Sequence, residues 1–384
     1  MMNSIQNLLD QVAIIGKKHE ELLDATGGRF NVFRMCGVDH YENRHSAILA
    51  ELLRPDGTHG LKETFLACFV GRFCEEGFRR KFDCTKACVA TEYATAKHGR
   101  MDILIEDQGT KCAIIIENKV YASDGHEQLK GYDSFAKDKY GEGNYVIFYL
   151  TLQGDDPSKD SGKGVKYTRI SYKDDMIRWL EECVGFAARL PTVRETLFQY
   201  INHLKSLTGQ DMNAKYKEEV IRLLCENPKN VESAFAIGDS FTEMKNYLVN
   251  EVFLPKLTSL CKALNLENTS QKGDMVNTPY TGFSITNPSW RFFQIAFEFG
   301  RTGLGNLCIG VIPKERNVKN AETYATLKQR YPKNSNDVWA YYQYFTTYRD
   351  WGKDAMLAIH TGTMVDVFKD EIVKLLELTK GLAM

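Results

Sequence analysis

The chain of 384 residues carries 49 basic and 50 acidic side chains, for a formal charge of −1. A near-neutral total supplies no global basic field to gather polyanions, so contact with nucleic acid must come from a local patch. Hydrophobic residues at 43% and charged residues at 26% exclude a disordered or fibrous chain, and the length is enough for two domains with separate cores.

In chain order, residues 3–24 have helical amphipathic periodicity followed by a Gly27-Gly28 break. This opening lacks the uninterrupted apolar run of a signal peptide, and no stretch approaches about 18 apolar residues, so a cytoplasmic protein without a membrane span is expected. A second helix is expected from Tyr41 to the stop at Arg54-Pro55-Asp56-Gly57, and a third over 63–78. Short β-rich runs follow at 87–93, 101–106 and 111–119, bounded by turn signals at Lys97-His98-Gly99 and Gln108-Gly109. A helix at 125–139, strands at 144–152 and 166–171, and helices at 173–188 and 192–207 complete the unit. The order α, β-β-β, α, β, β, α describes an α/β fold with a mixed sheet and helices on both faces.

Thr208-Gly209-Gln210-Asp211 reads as a boundary, dividing the chain into domains 1–210 and 211–384. The second has helix patterns at 215–227, 231–265, 319–330 and 362–380, and strand patterns at 281–286, 291–299, 306–313 and 337–346, an α+β domain. Its aromatics (Trp290, Phe292, Phe293, Phe297, Phe299, Trp339, Tyr341, Tyr342, Tyr344, Phe345) sit at strand spacing, which favours core over base stacking. The domain is a candidate for substrate selection, homodimer formation or sensing of a partner. The ten cysteines include no C-x-x-C pair and are expected to be reduced core thiols.

The chemistry concentrates around Gln108-Gly109. If that pair is a two-residue hairpin loop, Asp107 opposes Thr110 and Asp102 opposes Ile115. Period-2 alternation then puts Asp102, Ile115, Glu117 and Lys119 on one side, with Ile103, Ile105, Ile114 and Ile116 on the other. Two carboxylates and an ammonium in an apolar hairpin are costly unless paired or holding a metal. Asp102 and Glu117 are hard-oxygen ligands suited to Mg2+ or Mn2+, and the backbone carbonyl of Asn118 is a further candidate ligand. Lys119 would stabilise developing charge or help deprotonate a water, and apolar neighbours would lower its pKa. A plain carboxylate–lysine ion pair is the alternative for any one of these residues.

Gly99-Arg100-Met101-Asp102, fourteen residues, then Glu117-Asn118-Lys119 resembles the Asp…Glu-x-Lys signature of the PD-(D/E)XK nuclease superfamily. The αβββαβ order is similar to that superfamily's restriction-endonuclease-like core. Glu42-Asn43-Arg44-His45-Ser46, Gln128-Leu129-x-x-Tyr132 and the segment 197–212 resemble its bacterial family 4 branch, over about residues 30–212. The resemblance implies Mg2+- or Mn2+-dependent phosphodiester hydrolysis in DNA, in bacterial defence or repair. It makes Glu42 a helix-borne acid reaching the metal, Asp102 and Glu117 the central ligands, Lys119 the catalytic lysine, and Gln128 a residue orienting the site. Asp124-Gly125-His126-Glu127 reads as a capping-box variant that would start a helix near Asp124 and offer its N–H groups to phosphate. Tyr132 shares a face with Gln128 and is expected to pack. Glu92, His45 and Arg100 are secondary candidates, and Arg79-Arg80-Lys81, Lys97-His98 and Arg100 a candidate DNA-backbone footprint. The competing functions are a binding or regulatory protein on a nuclease fold and a nucleotide or RNA hydrolase.

Overall fold

The computed structural model describes residues 2–38, 41–95, 97–121, 125–270, 274–314 and 322–384. The chain divides into two compact units, Met1–Asn230 and Val231–Met384.

The first unit opens with α1 (Met2–Thr26), α2 (Val32–Met35), α3 (Glu42–Leu53), α4 (Thr64–Phe73) and α5 (Glu76–Arg79). The single helix expected over 63–78 is therefore two, because Cys74 and Glu75 adopt extended backbone. Strands β1 (Ala87–Ala94), β2 (Arg100–Asp107) and β3 (Cys112–Lys119) follow, then α6 (Gln128–Tyr140), β4 (Tyr145–Thr151), α7 (Lys159–Gly162) and β5 (Thr168–Ser171). Helices α8 (Ile177–Phe186), α9 (Pro191–Leu207) and α10 (Met212–Leu224) complete the unit. The strands form one sheet in the order β1-β2-β3-β4-β5, antiparallel across β1/β2/β3 and parallel across β3/β4/β5.

Ile103, Ile105, Ile114 and Ile116 bury on one face against α3, α4, α8 and α9, while Leu104, Ala113 and Ile115 bury on the other against Leu129, Tyr132, Ala136 and Tyr140 of α6. Each such isoleucine contributes roughly 1.5–3 kcal/mol of transfer free energy. Burial on both faces explains why β3 reads as a continuous apolar run rather than an alternating one. Helix α10, placed beyond the expected boundary at 210/211, packs on α1: Lys18 pairs with Glu219 at 3.0 Å, and the rings of His19 and Tyr216 stack at 5.0 Å.

The β2–β3 register differs from the two-residue hairpin. Asp107 pairs with Cys112 and Ile103 with Ile116, so the loop is the four residues 108–111. The Asp107 carboxylate accepts from the Gly109 N–H at 3.0 Å, the Thr110 hydroxyl at 2.6 Å and the Asp83 N–H at 2.9 Å, an Asx-type turn that widens the loop. Lys111, at φ 57°, closes it. The shift is by two positions per pair sum, and an even shift preserves facing parity.

The second unit contains α11 (Pro228–Asp239), which begins just before the division, then α12 (Phe241–Tyr247), α13 (Leu254–Ala263), α14 (Glu322–Arg330), α15 (Lys353–Thr361) and α16 (Met364–Leu378). Its strands β6 (Glu267–Ser270), β7 (Thr281–Thr286), β8 (Phe293–Arg301), β9 (Gly305–Pro313) and β10 (Tyr341–Tyr344) form an antiparallel meander. The helix expected over 231–265 breaks at Gly238-Asp239-Ser240, all poor helix formers, and Pro255 sits at the start of α13. Strand β6 and helix α15 were not foreseen, and residues 319–321 of an expected helix lie outside the described residues. Phe368 of α16 packs against Phe253, Phe283, Phe297, Phe345 and Trp351, so the aromatic strand positions here are largely core.

All ten cysteines are free thiols. Cys74, Cys112, Cys183 and Cys261 are buried, but Cys36, Cys88 and Cys225 are exposed, against the expectation of core thiols throughout. Among the described residues no helix is long and apolar enough to cross a membrane.

Candidate active site

The ladder between β2 and β3 stops at Ile103–Ile116, and that between β1 and β2 skips the position where Glu92 and Asp102 would meet. Glu92 has φ 52°, a local distortion that frees Asp102 from regular pairing. The Asp102 carboxylate turns to the end of β3 and accepts the Asn118 N–H at 2.7 Å. Its pKa is raised, first by burial and then by Glu92 and Glu42, against the opposing effects of that hydrogen bond and Lys119.

Glu117 is fully buried. Its Oε1 lies 2.6 Å from the Lys119 Nζ and accepts from the Gln128 amide at 2.7 Å, while its Oε2 lies 2.9 Å from the Tyr132 hydroxyl. Burial above all, then the neighbouring Asp102, pushes the Glu117 carboxyl up to about 8, although Lys119 and Tyr132 pull the other way. Lys119 departs from expectation. Burial does act to lower its pKa, but Glu117, Asp102 and Glu42 outweigh it, and the net direction is upward. The ammonium therefore stays charged, which disfavours its use as a base.

Gln128 opens α6 and donates both to Glu117 and to the Tyr132 hydroxyl at 2.9 Å, while its Oε1 accepts the Gly125 N–H at 3.1 Å. The helix starts at Gln128 rather than near Asp124, which itself lies outside the described residues. Its first turn is not an open set of donors: the Leu129 N–H is taken by the buried Ser161 hydroxyl of α7 at 3.2 Å. Tyr132 packs as expected and also reaches both Glu117 and the Arg100 carbonyl, the latter at 2.6 Å.

Glu42 heads α3 and accepts the Val120 N–H at 2.7 Å and the Tyr121 N–H at 3.2 Å, so its carboxylate is bound to the chain leaving β3. Asn118 joins these parts on the other side of the sheet. Its amide donates to the Glu42 carbonyl at 3.1 Å and to the Ser46 hydroxyl at 3.0 Å, and its Oδ1 accepts from Tyr172 at 2.9 Å. Tyr172 stands on the single wide turn, Tyr172–Met176, that leads into α8. Ser46, Ser161 and Tyr172 are the contributors that sequence reasoning missed. Ser46 was within reach of it, four residues after Glu42 on the same helix face. Tyr172 was not, being joined to Asn118 only by the fold.

His45 is fully buried with Nδ1 2.9 Å from the Tyr200 hydroxyl, so it supports the core rather than facing the site. Arg100 pairs with Glu92 at 2.8 Å. Arg79-Arg80-Lys81 lies elsewhere. Lys81 donates to Asn144 at 3.0 Å, next to the Ala113–Tyr145 pair, whereas Lys119 pairs with Thr151. Six strand residues at about 3.3 Å each separate those ends, roughly 20 Å.

A family model of the PD-(D/E)XK nuclease superfamily matches residues 30–202, the segment that contains every residue of this cluster. This match supports a PD-(D/E)XK nuclease domain of family 4 over that segment, which is less than half of the chain. No curated protein and no solved structure matches the chain. The match supports a nuclease-type phosphodiesterase, and PD-(D/E)XK nucleases generally use divalent metal ions. Among the described residues no three His, Cys, Asp or Glu side chains gather closely enough to hold an ion, because the acids are turned onto protein donors. The donor chemistry nonetheless fits a hard cation. Asp102 and Glu117 offer oxygen alone, and the burial of charge and mutual repulsion that raise Glu117 are what a divalent ion would offset.

Proposed function

We propose that the protein hydrolyses phosphodiester bonds in DNA with Mg2+ or Mn2+ as cofactor. The observation that carries this reading is Glu117, a carboxylate without solvent exposure, set beside Asp102 and bonded to Lys119 at 2.6 Å. Clustered buried charges cost stability, and strongly perturbed groups of this kind concentrate at functional sites.

Asp102, Glu117 and the Asn118 carbonyl would hold the ion, with the Glu42 carboxylate adjoining. When bound, such an ion polarises a phosphoryl oxygen and acidifies a coordinated water. Lys119, charged and fixed by Glu117, stabilises negative charge developing on the phosphate. Gln128 and Tyr132 orient Glu117 from α6, so that neither carboxylate oxygen rotates freely. Asn118 ties Glu42 and the end of β3 into one rigid frame.

The test compares Lys119→Ala with Asp102→Ala, by calorimetric Mn2+ titration and a time course of cleavage of plasmid and single-stranded DNA. Lys119→Ala lowers cleavage by about 10²–10³-fold, the usual loss for one preorganised donor, and keeps metal affinity. Asp102→Ala loses both. Cleavage by Lys119→Ala at the wild-type rate would refute the mechanism. A wild-type protein that binds DNA but cuts none with either ion would turn the assignment to binding without hydrolysis.

A further inference from the structure

A chain of buried polar side chains runs from the site into the core. It begins at Asn118, which is fully buried at the end of β3. The Asn118 Nδ2 donates to Ser46 and to the Glu42 carbonyl, so its Oδ1 is left to accept, and the Tyr172 hydroxyl donates to it at 2.9 Å. The Tyr172 hydroxyl is hydrogen-bonded in turn to that of Tyr200 on α9. The Tyr200 hydroxyl lies 2.9 Å from Nδ1 of His45 on α3. Tyr172, Tyr200 and His45 are at most 1% exposed. Ring contacts hold the far end in place: His45 meets Tyr172 edge-on at 5.7 Å between centroids, and His203 stacks on His45 at 5.7 Å and 11° from parallel.

A buried polar chain costs stability unless every member is bonded, and a fully bonded one fixes a single arrangement. Each hydroxyl has one proton, so the amide oxygen at one end sets the direction of the whole chain. Tyr172 gives its proton to Asn118 and can only accept from Tyr200. Tyr200 gives its proton to Tyr172 and can only accept from His45. Nδ1 of His45 must therefore carry a proton.

Asn118 is where this chain meets the acids. Its backbone N–H holds the Asp102 carboxylate at 2.7 Å, and its side chain holds the first residue of α3, Glu42. A turned Asn118 would displace both carboxylates at once, and a shift of about 1 Å at a reacting centre can cost on the order of 10²-fold in rate. We propose that Tyr200 and His45 are positioning residues of the site, acting through Tyr172 to fix Asn118 and with it Asp102 and Glu42. This rests on the nuclease reading above, and it brings α9 into the support of the site.

The experiment uses the full chain, first in EDTA and then with Mn2+. Nitrogen-15 NMR of histidine-labelled protein in EDTA at pH 8, with His45 assigned by the signals missing from His45→Asn, shows a protonated Nδ1. A bare Nδ1 would overturn the inference, because Tyr200 would then donate to His45 and not to Tyr172. Calorimetric Mn2+ titration and cleavage time courses follow, well below each variant's melting temperature. Tyr200→Phe, which keeps the ring, and His45→Leu each weaken Mn2+ binding and lower kcat about 10-fold with KM little changed, whereas His45→Asn, whose amide can donate from the Nδ1 position, stays within about two-fold of wild type. In a Tyr172→Phe background, Tyr200→Phe has no further effect on Mn2+ affinity, since the chain is already cut; losses from packing alone would add. Additive losses, or wild-type affinity and kcat in Tyr200→Phe, overturn the inference. The expected tautomer and coupled Mn2+ affinities without cleavage of any DNA would count against hydrolysis alone and leave the positioning assignment standing.

Discussion

Glu117→Gln removes one charge from the centre of the site and keeps its shape. The folded-state carboxyl lies at about 8, against 4.5 for the ordinary group. Because the folded pKa is raised, the folded protein holds a proton that the unfolded chain releases. The favourable contribution is therefore complete below about pH 4.5, is lost as pH rises, and is gone once pH passes about 8. The difference in pKa corresponds to on the order of 5 kcal/mol. Glutamine carries no such penalty. Its oxygen can accept from Gln128 and Lys119 where Glu117 Oε1 does, and its amide can donate to the Tyr132 hydroxyl, which donates in turn to the Arg100 carbonyl. In EDTA at pH 8 the variant should accordingly melt roughly 10 °C above wild type, at about 2–4 °C per kcal/mol for a unit of this size. The two should converge near pH 4. Thermal melts from pH 4 to 9 measure this directly. Adding Mn2+ at pH 8 should raise the melting temperature of wild type and leave Glu117→Gln nearly unmoved. Parallel melting curves across the whole pH range would mean that Glu117 is ionised throughout as a simple partner of Lys119, and the electrostatic reasoning would be wrong.

Asn118→Ala should cost about 2–4 kcal/mol, because it removes the buried amide that bonds the Tyr172 and Ser46 hydroxyls and the Glu42 carbonyl. Urea denaturation would read this as a lower midpoint at unchanged slope. Gly131→Ala should cut cleavage by ten-fold or more without stabilising the protein, since the added Cβ would meet the His98 carbonyl at 2.9 Å and push α6, with Gln128 and Tyr132, off Glu117. Gly71→Ala in α4 is the matched control: nothing lies within 4 Å of its Cβ, so thermal melting should show a gain of about 0.5–1 kcal/mol with cleavage intact.

Periodicity alone determined the strands and most helices of the first unit, since a chain of isoleucines at 103, 105, 114 and 116 leaves few ways to bury them. The facing parity of Asp102, Glu117 and Lys119 was also legible, and it survived a mistaken hairpin loop because side chains alternate with period 2 and the error was even. The local quantities were less secure. Helix α6 starts later than its capping pattern suggests because Glu127 takes left-handed backbone, and the first-turn donor Leu129 is satisfied by Ser161, 32 residues away, which no neighbouring residue announces. The upward direction at Lys119 was misjudged for a similar reason. Apolar neighbours are visible in sequence, whereas the summed pull of Glu117, Asp102 and Glu42 depends on their distances in space. In the second unit, the long helix pattern of 231–265 gave way to several helices, and β6 and α15 emerged only once packed around Phe368. Tyr172 shows the limit most clearly. It is an ordinary tyrosine in sequence, and only the parallel pairing of β3, β4 and β5 carries the turn after β5 to the Asn118 amide. Side-chain alternation and apolar burial are properties of neighbouring residues and can be read along the chain. Hydrogen-bond partners and electrostatic sums belong to distances between remote segments, which exist only after the sheet has formed.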